Sequence, residues 1–183
     1  MPAPDSRPAP RPRLGVSSCL LGQEVRWDGR HKRAEWVADA LAREAELVPV
    51  CPEVEVGLGT PRPPIRLEDA GGGRVRLACP STGEDLTARM AAFAEARVRS
   101  LRDAGLCGYV LKARSPSCGK DGVDLFGPEG APPRPVGRGA FAEALIRLLP
   151  GLPVEEEEAL RDPAARRDFL ERARAYHRAR EAT

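Results

Sequence analysis

The alternation of strand-like and helix-like segments is the feature that most constrains the fold of this chain. Short apolar runs typical of strands lie at residues 14–18, 47–50, 109–111 and 152–154. Segments with helical periodicity lie at residues 34–46, 87–104, 141–149 and 164–180. Strands that alternate with helices pair in parallel, because each crossover returns the chain to the same edge of the sheet. The sequence therefore predicts an α/β fold with a three-layer, Rossmann-like parallel sheet and helices on both faces.

Several local signals refine these elements. Pro49 removes one ladder donor from its strand, which favours an edge or strand-end position. Residues 65–67 and 74–78 are joined through a run of glycines and predict a surface hairpin. Thr87 is placed to cap the start of the longest helix. The Gly/Pro-rich residues 119–139 predict a long loop.

Composition favours a single domain. With 183 residues, 42% hydrophobic and 31% charged, the chain can bury one sizeable core. A net charge of +2 is too mild to indicate a nucleic-acid binder by itself. No apolar run approaches the roughly 20 residues that cross a bilayer, and the N-terminus lacks the apolar centre of a signal peptide. We therefore expect a cytoplasmic protein without membrane contact.

The ends of the chain differ from its middle. Residues 1–13 hold five prolines and three arginines, which predicts a disordered tail. An arm that contacts RNA through Arg7, Arg11 and Arg13 is the alternative. Residues 14–160 are expected to form the main domain, and residues 161–183 a charged C-terminal helix.

Three isolated cysteines carry the strongest chemical signal. Cys19, Cys51 and Cys118 each lie at or beyond the end of a predicted strand. Because ligands bind at the carboxyl edge of a parallel sheet, the three thiols can meet in one crevice. Small buried hydrophobic cysteines are the alternative. Polar neighbours favour a metal site, since a core would exclude them; they are Ser17, Ser18, Glu53, Ser115 and Ser117.

The cysteine spacing limits the kind of metal. Neither the close pairs typical of structural zinc nor the dense runs of ferredoxins occur. An odd number of five cysteines in a chain without an export signal also argues against a disulfide framework. Three thiols from three strand ends suit a 4Fe–4S cluster whose fourth iron stays open to act as a Lewis acid. Cys79 and Cys107 are expected to be structural, with a fourth cluster ligand as the alternative.

Four blocks of residues together resemble one known family. They are residues 16–22 (VSSCLLG), Trp27-Asp28-Gly29 with Lys32, residues 48–53 (VPVCPE) with Thr60-Pro61-Arg62, and residues 112–119 (KARSPSCG). In this order they resemble the thiouracil desulfidase family, long catalogued as a domain of unknown function. The resemblance implies that residues 14–160 form an iron–sulfur domain that removes sulfur from a thiolated uracil without redox change.

The resemblance also implies roles for individual residues. Cys19, Cys51 and Cys118 would hold the 4Fe–4S cluster. Glu53 would act as an acid or base, with Ser117 or Ser115 as a polar partner. We further expect Ser18, Asp28, Lys32 and Lys112 to contact substrate, although Asp28 and Lys32 can equally form a surface ion pair. Charge at a strand end is the alternative for Lys112, and a solvated loop residue is the alternative for His31.

Longer relatives set an expectation about the substrate. The residues from Leu152 to Arg172 resemble the junction to a second domain in those relatives, where the substrate is thought to be 4-thiouridine in RNA. No second domain follows here, so residues 161–183 are interpreted as a remnant of the junction. A small thiolated pyrimidine is therefore expected as partner, and intact tRNA is disfavoured. A cluster-bearing or RNA-binding accessory protein without catalysis is the alternative function.

Overall fold

A computed structural model describes residues 11–128 and 131–182 of the chain. The strands, in chain order, are β1 (Arg13–Ser17), β2 (Glu46–Val50), β3 (Arg66–Asp69), β4 (Val75–Cys79), β5 (Glu84–Asp85), β6 (Leu106–Leu111), β7 (Val123–Phe126), β8 (Arg134–Gly137) and β9 (Val154–Glu156). The α-helices are α1 (Pro52–Glu55), α2 (Thr87–Asp103), α3 (Ala140–Leu148) and α4 (Pro163–Glu181). Single turns of 3₁₀-helix at Ser18–Leu21, Leu41–Arg43 and Ala159–Arg161 and a π-helical turn at Trp36–Ala40 complete the elements.

The predicted parallel sheet, here named sheet A, is confirmed. It has four strands in the order β2-β1-β6-β9, and all of its pairs are parallel. Pro49 lies on the edge strand β2, as its missing N–H donor predicts. Because β1 and β6 are central, their apolar side chains are fully buried, for example Leu14 and Val110 at 0% exposure. The carboxyl ends of β2, β1 and β6 are therefore neighbours.

Helices cover both faces of sheet A, which gives the expected three layers. On one face, Val98 of α2 and Phe141 of α3 pack in the same apolar cluster as Tyr109 of β6. On the other face, Phe169 of α4 packs in the same cluster as Leu14 of β1. The C-terminal helix is thus part of the core of the domain.

A second sheet, named sheet B, was only partly predicted. Its five strands lie in the order β5-β4-β3-β7-β8. The predicted hairpin exists as the antiparallel pair of β3 and β4, but its description as a surface element is wrong. Leu67 and Leu77 are 2% exposed and pack with Met90 of α2. The prediction that residues 119–139 form only a loop is also wrong, because β7 and β8 extend the sheet there.

Some predicted boundaries need correction. The helix expected at residues 34–46 is a π-helical turn followed by a 3₁₀ turn, and it ends early because Glu46 pairs with Arg13 in sheet A. Thr87 does not cap α2: its hydroxyl accepts a hydrogen bond from Leu77 N at 2.9 Å. The disordered tail expected over residues 1–13 is wrong at its end, because Arg13 begins β1 and pairs in sheet A. Residues 1–10 of that tail lie outside the described residues. In the described ranges, no helix is long and apolar enough to cross a membrane.

Candidate active site

The three cysteines predicted as ligands line one cavity at the carboxyl edge of sheet A. The cavity has a volume of about 350 Å³. Cys19 lies in the 3₁₀ turn that follows β1, and Cys51 directly follows β2 as the residue that precedes α1. Cys118 lies within the loop that joins β6 to β7. The parallel topology therefore brings together thiols that are far apart in the sequence, as predicted.

Backbone contacts hold the loop of Cys19 in place. Gly22 closes the turn with a left-handed φ of 91°, a conformation that costs other residues energy. The carbonyl of Cys19 accepts hydrogen bonds from Gly22 N at 3.3 Å and from Lys32 N at 2.9 Å. A backbone hydrogen bond thus fixes the polar loop that carries Lys32 next to Cys19.

The Ser-Pro-Ser-Cys-Gly turn positions Cys118. Its first hydroxyl, Ser115 Oγ, accepts from the backbone N–H groups of Ser117 at 3.3 Å and Cys118 at 3.1 Å. The carbonyl of Ser117 accepts from Phe141 N at 2.9 Å, so that α3 begins on the turn. Ser115 therefore shapes the turn, whereas Ser117 is the serine whose hydroxyl reaches a candidate catalytic group.

The thiols are buried, and this changes their acidity. Cys19 and Cys118 are 8% and 6% exposed. Burial raises the pKa of Cys19 to about 11, an effect that the Lys112 ammonium and the Arg26 guanidinium partly offset. Burial also raises the pKa of Cys118 and, less strongly, that of Cys51. Thiolates at this site need a compensating positive charge, which a metal centre supplies.

The donor set fits a group larger than one metal ion. Within residues 11–128 and 131–182, no three His, Cys, Asp or Glu side chains are grouped closely enough to hold a single ion. A zinc site needs its thiolates at about 2.3 Å from one centre. Three free thiols spread around one cavity instead suit an iron–sulfur cluster, which Cys ligands hold from several sides.

The two remaining cysteines lie away from the cavity. Cys79 ends β4 in sheet B, where its Sγ is 3.4 Å from Ser81 Oγ. Cys107 lies near the start of β6, and its Sγ donates to Gly105 O at 3.1 Å. Neither lines the cavity. This placement supports the prediction that both are structural.

Glu53 lies in the cavity wall and is held by two partners. Its Oε2 accepts from Arg62 Nε at 2.8 Å and lies 2.7 Å from Arg62 Nη2. Its Oε1 accepts from Ser117 Oγ at 2.9 Å. Arg62 is itself fixed, because its Nη1 donates to the carbonyls of Val25 at 2.9 Å and Gly59 at 2.7 Å. The carboxylate therefore has one defined orientation.

Five cationic side chains contribute to the cavity wall, beside apolar residues such as Val25, Trp27 and Ile65. The cations are Arg26, Lys32, Arg62, Lys112 and Arg114. Four of them face a carboxylate: Arg26 faces Asp28, Arg62 faces Glu53, Lys112 faces Glu157 and Arg114 faces Glu158. Of these five cations, Lys32 alone has no carboxylate partner among the described residues. An anionic group of a ligand would therefore meet Lys32 at the least cost.

The structure separates the remaining predicted substrate contacts. Ser18, Lys32 and Lys112 line the cavity, whereas Asp28 does not. The Asp28 carboxylate accepts from Arg30 N at 3.1 Å and faces Arg26 Nε at 3.7 Å, which favours the ion-pair alternative. His31 is exposed, and its Nδ1 accepts from Arg33 N at 3.2 Å, as in a solvated loop.

Sequence reasoning assigned no role to two charged residues of the site. Arg62 stands in a proline-rich loop nine positions after Glu53, and Glu157 is 45 positions after Lys112. Only the fold shows that each pairs with a predicted site residue. Arg62 did appear within the Thr60-Pro61-Arg62 block, which was the one available signal.

The fold and the cavity together define a Rossmann-like α/β protein whose sheet edge gathers three thiols beside an oriented carboxylate. Comparison with known proteins is more specific. The family model described as 2-thiouracil desulfurase matches residues 14–157, and the chain belongs to this family. The predicted family is thus confirmed.

The chain is similar to a solved structure and to a bacterial protein. It is 34% identical to a solved structure of the 4Fe-4S-dependent thiouracil desulfidase TudS, with a TM-score of 0.67, over 86% of this chain and 99% of that one. It is also 35% identical over 109 residues to the uncharacterized protein YbbK of Bacillus subtilis strain 168, covering 57% of this chain and 71% of that protein. The structural match confirms the α/β fold.

Proposed function

We propose that this chain is a cytoplasmic 4Fe–4S-dependent desulfidase that hydrolyses the carbon–sulfur bond of a thiolated uracil. The observation that carries the proposal is the shared cavity of Cys19, Cys51 and Cys118 with Glu53 in its wall. Membership of the 2-thiouracil desulfurase family and the likeness to TudS support it.

Cys19, Cys51 and Cys118 would hold the cluster, and no other cysteine of the described residues lines the cavity. Three protein ligands leave one iron without a thiolate. When bound, the cluster supplies this iron as a Lewis acid toward the sulfur of the substrate.

The overall reaction exchanges sulfur for oxygen without redox change. Water adds its oxygen to the pyrimidine carbon, the carbon–sulfur bond breaks, and the products are uracil and hydrogen sulfide. One proton of the water must be removed as the carbon–oxygen bond forms. The acceptor later releases this proton. Both protons of the water thus end on the sulfur that leaves as hydrogen sulfide, and its oxygen ends on the uracil, so atoms and charge balance.

Glu53 is the proposed proton acceptor. A carboxylate offers about four acceptor positions. Arg62 occupies those of Oε2 through two nitrogens, and Ser117 occupies one of Oε1. The remaining position on Oε1 is available to the attacking water. Ser117 and Arg62 thus orient the base rather than act on the substrate.

The substrate is proposed to be 2- or 4-thiouracil or the corresponding thiouridine or its nucleotide. The cavity is large enough for a pyrimidine, since its volume is about 350 Å³. Lys32 provides a cation without a carboxylate partner at the exposed end of the site. This arrangement favours a substrate with a negative group, such as a nucleotide phosphate.

Anaerobic reconstitution followed by a sulfide-release assay tests the proposal. We expect sulfide from at least one of 2-thiouracil, 4-thiouracil and 4-thiouridine monophosphate, with an equal amount of uracil from the free bases or of uridine monophosphate from the nucleotide. Cluster incorporation without sulfide release from any of these substrates would contradict the proposed desulfidase activity and favour an accessory protein.

The ligand set has its own test. We expect Cys19→Ala, Cys51→Ala and Cys118→Ala each to lose the iron chromophore, because each removes one of three thiolates. Cys79→Ala and Cys107→Ala are matched controls outside the cavity and should keep it. Iron and sulfide per chain give the measurement. Loss of iron in either control would show that a fourth thiolate is required.

A further inference from the structure

A buried ion pair joins one cation of the cavity wall, Lys112, to Glu157, which does not line the cavity. Lys112 follows β6 directly, and its ammonium pairs with the Glu157 carboxylate one residue after β9. The two side chains are only 13% and 7% exposed. Buried pairs add little to stability over an apolar pair of the same size. Stability alone therefore does not explain this pair.

Glu157 has a fixed position because its polar atoms are engaged. Its Oε2 accepts from Ala113 N at 2.7 Å, and its Oε1 accepts from Lys112. Its backbone N–H donates to Leu111 O at 3.1 Å, and its carbonyl accepts from Trp36 Nε1 at 2.7 Å. The carboxylate is thus built into the junction of β6, β9 and the π-helical turn.

The ammonium of Lys112 retains one N–H for a ligand. An ammonium has three donors. Two of them reach Glu157 Oε1 and Ala113 O, the latter at 3.0 Å. The third has no acceptor within the described part of the chain, and Lys112 lines the cavity. This proton can therefore be donated into the cavity.

Lys112 and Lys32 occupy different depths of the site. The Lys112 side chain is largely buried and close enough to Cys19 for its charge to act on that thiol, whereas Lys32 is exposed. A pyrimidine ring with its sulfur toward the thiols would lie at the depth of Lys112. A phosphate attached to the sugar would extend toward solvent and Lys32.

We propose that Glu157 is a positioning residue that directs the free N–H of Lys112 onto the remaining ring carbonyl oxygen of the thiolated pyrimidine. This inference rests on the proposed function, since it names the part of the substrate that the pair recognises. Glu157 does not touch the substrate itself. It fixes the direction of the donor and balances its charge.

Glu157→Gln tests the proposal, and Glu158→Gln is the matched control. Glu158 is the next residue and also pairs with a cation, Arg114, but this pair is exposed, at 43% and 66%. We expect Glu157→Gln to raise the KM for 4-thiouracil about tenfold or more with a much smaller change in kcat. For pyrimidine-4-thione, which lacks the ring carbonyl, the KM should be the same in wild type and Glu157→Gln. Glu158→Gln should leave both values unchanged.

Calorimetric binding of uracil gives a second readout that needs no turnover. Wild type and Glu158→Gln should bind uracil equally, and Glu157→Gln about tenfold more weakly. If Glu157→Gln does not fold, Glu157→Asp replaces it: it keeps the buried charge but shortens the reach by one methylene, and the same losses are expected.

The outcomes separate this inference from the proposed function. Sulfide release by wild type, with an unchanged KM and unchanged uracil binding in the Glu157 variant that folds, would overturn the inference alone. An equal rise in KM for 4-thiouracil and pyrimidine-4-thione would also overturn it, because the effect would then be structural. A wild type that binds uracil but releases no sulfide would overturn the proposed function, while the uracil measurements would still decide the role of Glu157.

Discussion

At the scale of single residues, the site depends on a carboxylate whose surroundings leave it one free acceptor position. Glu53→Gln keeps the size of the side chain: its amide oxygen can accept from Arg62 and its amide nitrogen can donate to Ser117 Oγ. An amide cannot, however, take a proton from water. We expect an intact cluster spectrum, retained substrate binding and a kcat lower by about a hundredfold or more. The measurement is sulfide release under saturating substrate.

Serine variants provide the comparison for Glu53. Ser117→Ala removes the hydrogen bond to Glu53 Oε1 and should lower kcat by a smaller factor than Glu53→Gln. Ser115→Ala removes the acceptor of two backbone N–H groups in the turn and should lower iron content as well. Near-normal turnover of Glu53→Gln with a full cluster would contradict the general-base role.

Lys32 offers a test of substrate size at the same scale. Because Lys32 has no carboxylate partner among the described residues, Lys32→Gln should remove attraction to a phosphate without freeing a buried anion. We expect the KM for 4-thiouridine monophosphate to rise about fivefold to twentyfold, with the KM for 4-thiouracil unchanged. Arg43→Gln, an exposed change outside this cavity, is the control. Equal effects on both substrates would contradict a phosphate contact.

Sequence reasoning reached some residues of the site and not others. Cys19, Cys51 and Cys118 were found because a strand end is visible in the local pattern and parallel strands end at one edge. The partners Arg62 and Glu157 were not, because an ion pair depends on the distance between two loops in space. The substrate contact expected for Asp28 rests on the Trp27-Asp28-Gly29 block of the resemblance, whereas its carboxylate faces Arg26 of the same loop.

At the scale of elements, the close approach of α3 to the Ser-Pro-Ser-Cys-Gly turn sets the position of Cys118. A Cβ at Gly139 would lie 2.5 Å from the carbonyl carbon and oxygen of Ser117 and 2.7 Å from Cys118 N. These are backbone atoms and cannot rotate away. Gly139→Ala should therefore lower the free energy of unfolding by about 1–3 kcal/mol and reduce iron per chain, measured by urea unfolding and iron analysis.

Gly127→Ala is the control for this substitution. Among the described residues, a Cβ at Gly127 would meet only the Ala131 Cβ, at 3.6 Å, which is ordinary contact. Stability and iron content should be unchanged. A Gly139→Ala protein with full iron content would show that the turn can shift without moving Cys118 from its place.

The elements themselves were predictable to different degrees. The central strands β1 and β6 of sheet A have buried apolar runs, and the long helix α2 has a clear apolar face, so these elements were visible in the sequence. Strands β7 and β8 are four residues each and lie in a Gly/Pro-rich segment, and β8 is largely exposed. Their strand state arises from pairing with β3 and with each other, which no local pattern contains.

At the scale of the whole molecule, a network in sheet B links stability to pH. Glu68 of β3 accepts from Arg66 Nε at 2.8 Å and from Arg76 Nη2 at 2.6 Å. Burial alone would raise the pKa of Glu68, but the hydrogen bonds from both arginines outweigh it, so that the pKa is lowered. A lowered pKa in the folded state stabilises the protein above the unfolded pKa. This contribution is lost as the pH falls through the folded pKa.

Glu68→Gln should therefore lower the urea midpoint at pH 7, and the difference from wild type should shrink as the pH falls below about 4. The control is Glu84→Gln, because Glu84 is 50% exposed and lies 3.5 Å from Arg89. Its midpoint should follow wild type at each pH. A constant difference between Glu68→Gln and wild type over this pH range would contradict the role of ionised Glu68.

The three thiols of the site follow three separate strands of sheet A, so the site forms only as the sheet folds. Residues 19, 51 and 118 come together when β2, β1 and β6 pair. No short segment of the chain therefore holds more than one of the three thiols. Occupancy of the site and formation of the central sheet are thermodynamically linked: whatever binds the three thiols together stabilises the folded state by mass action. Loss of the bound group and global unfolding should consequently reinforce each other.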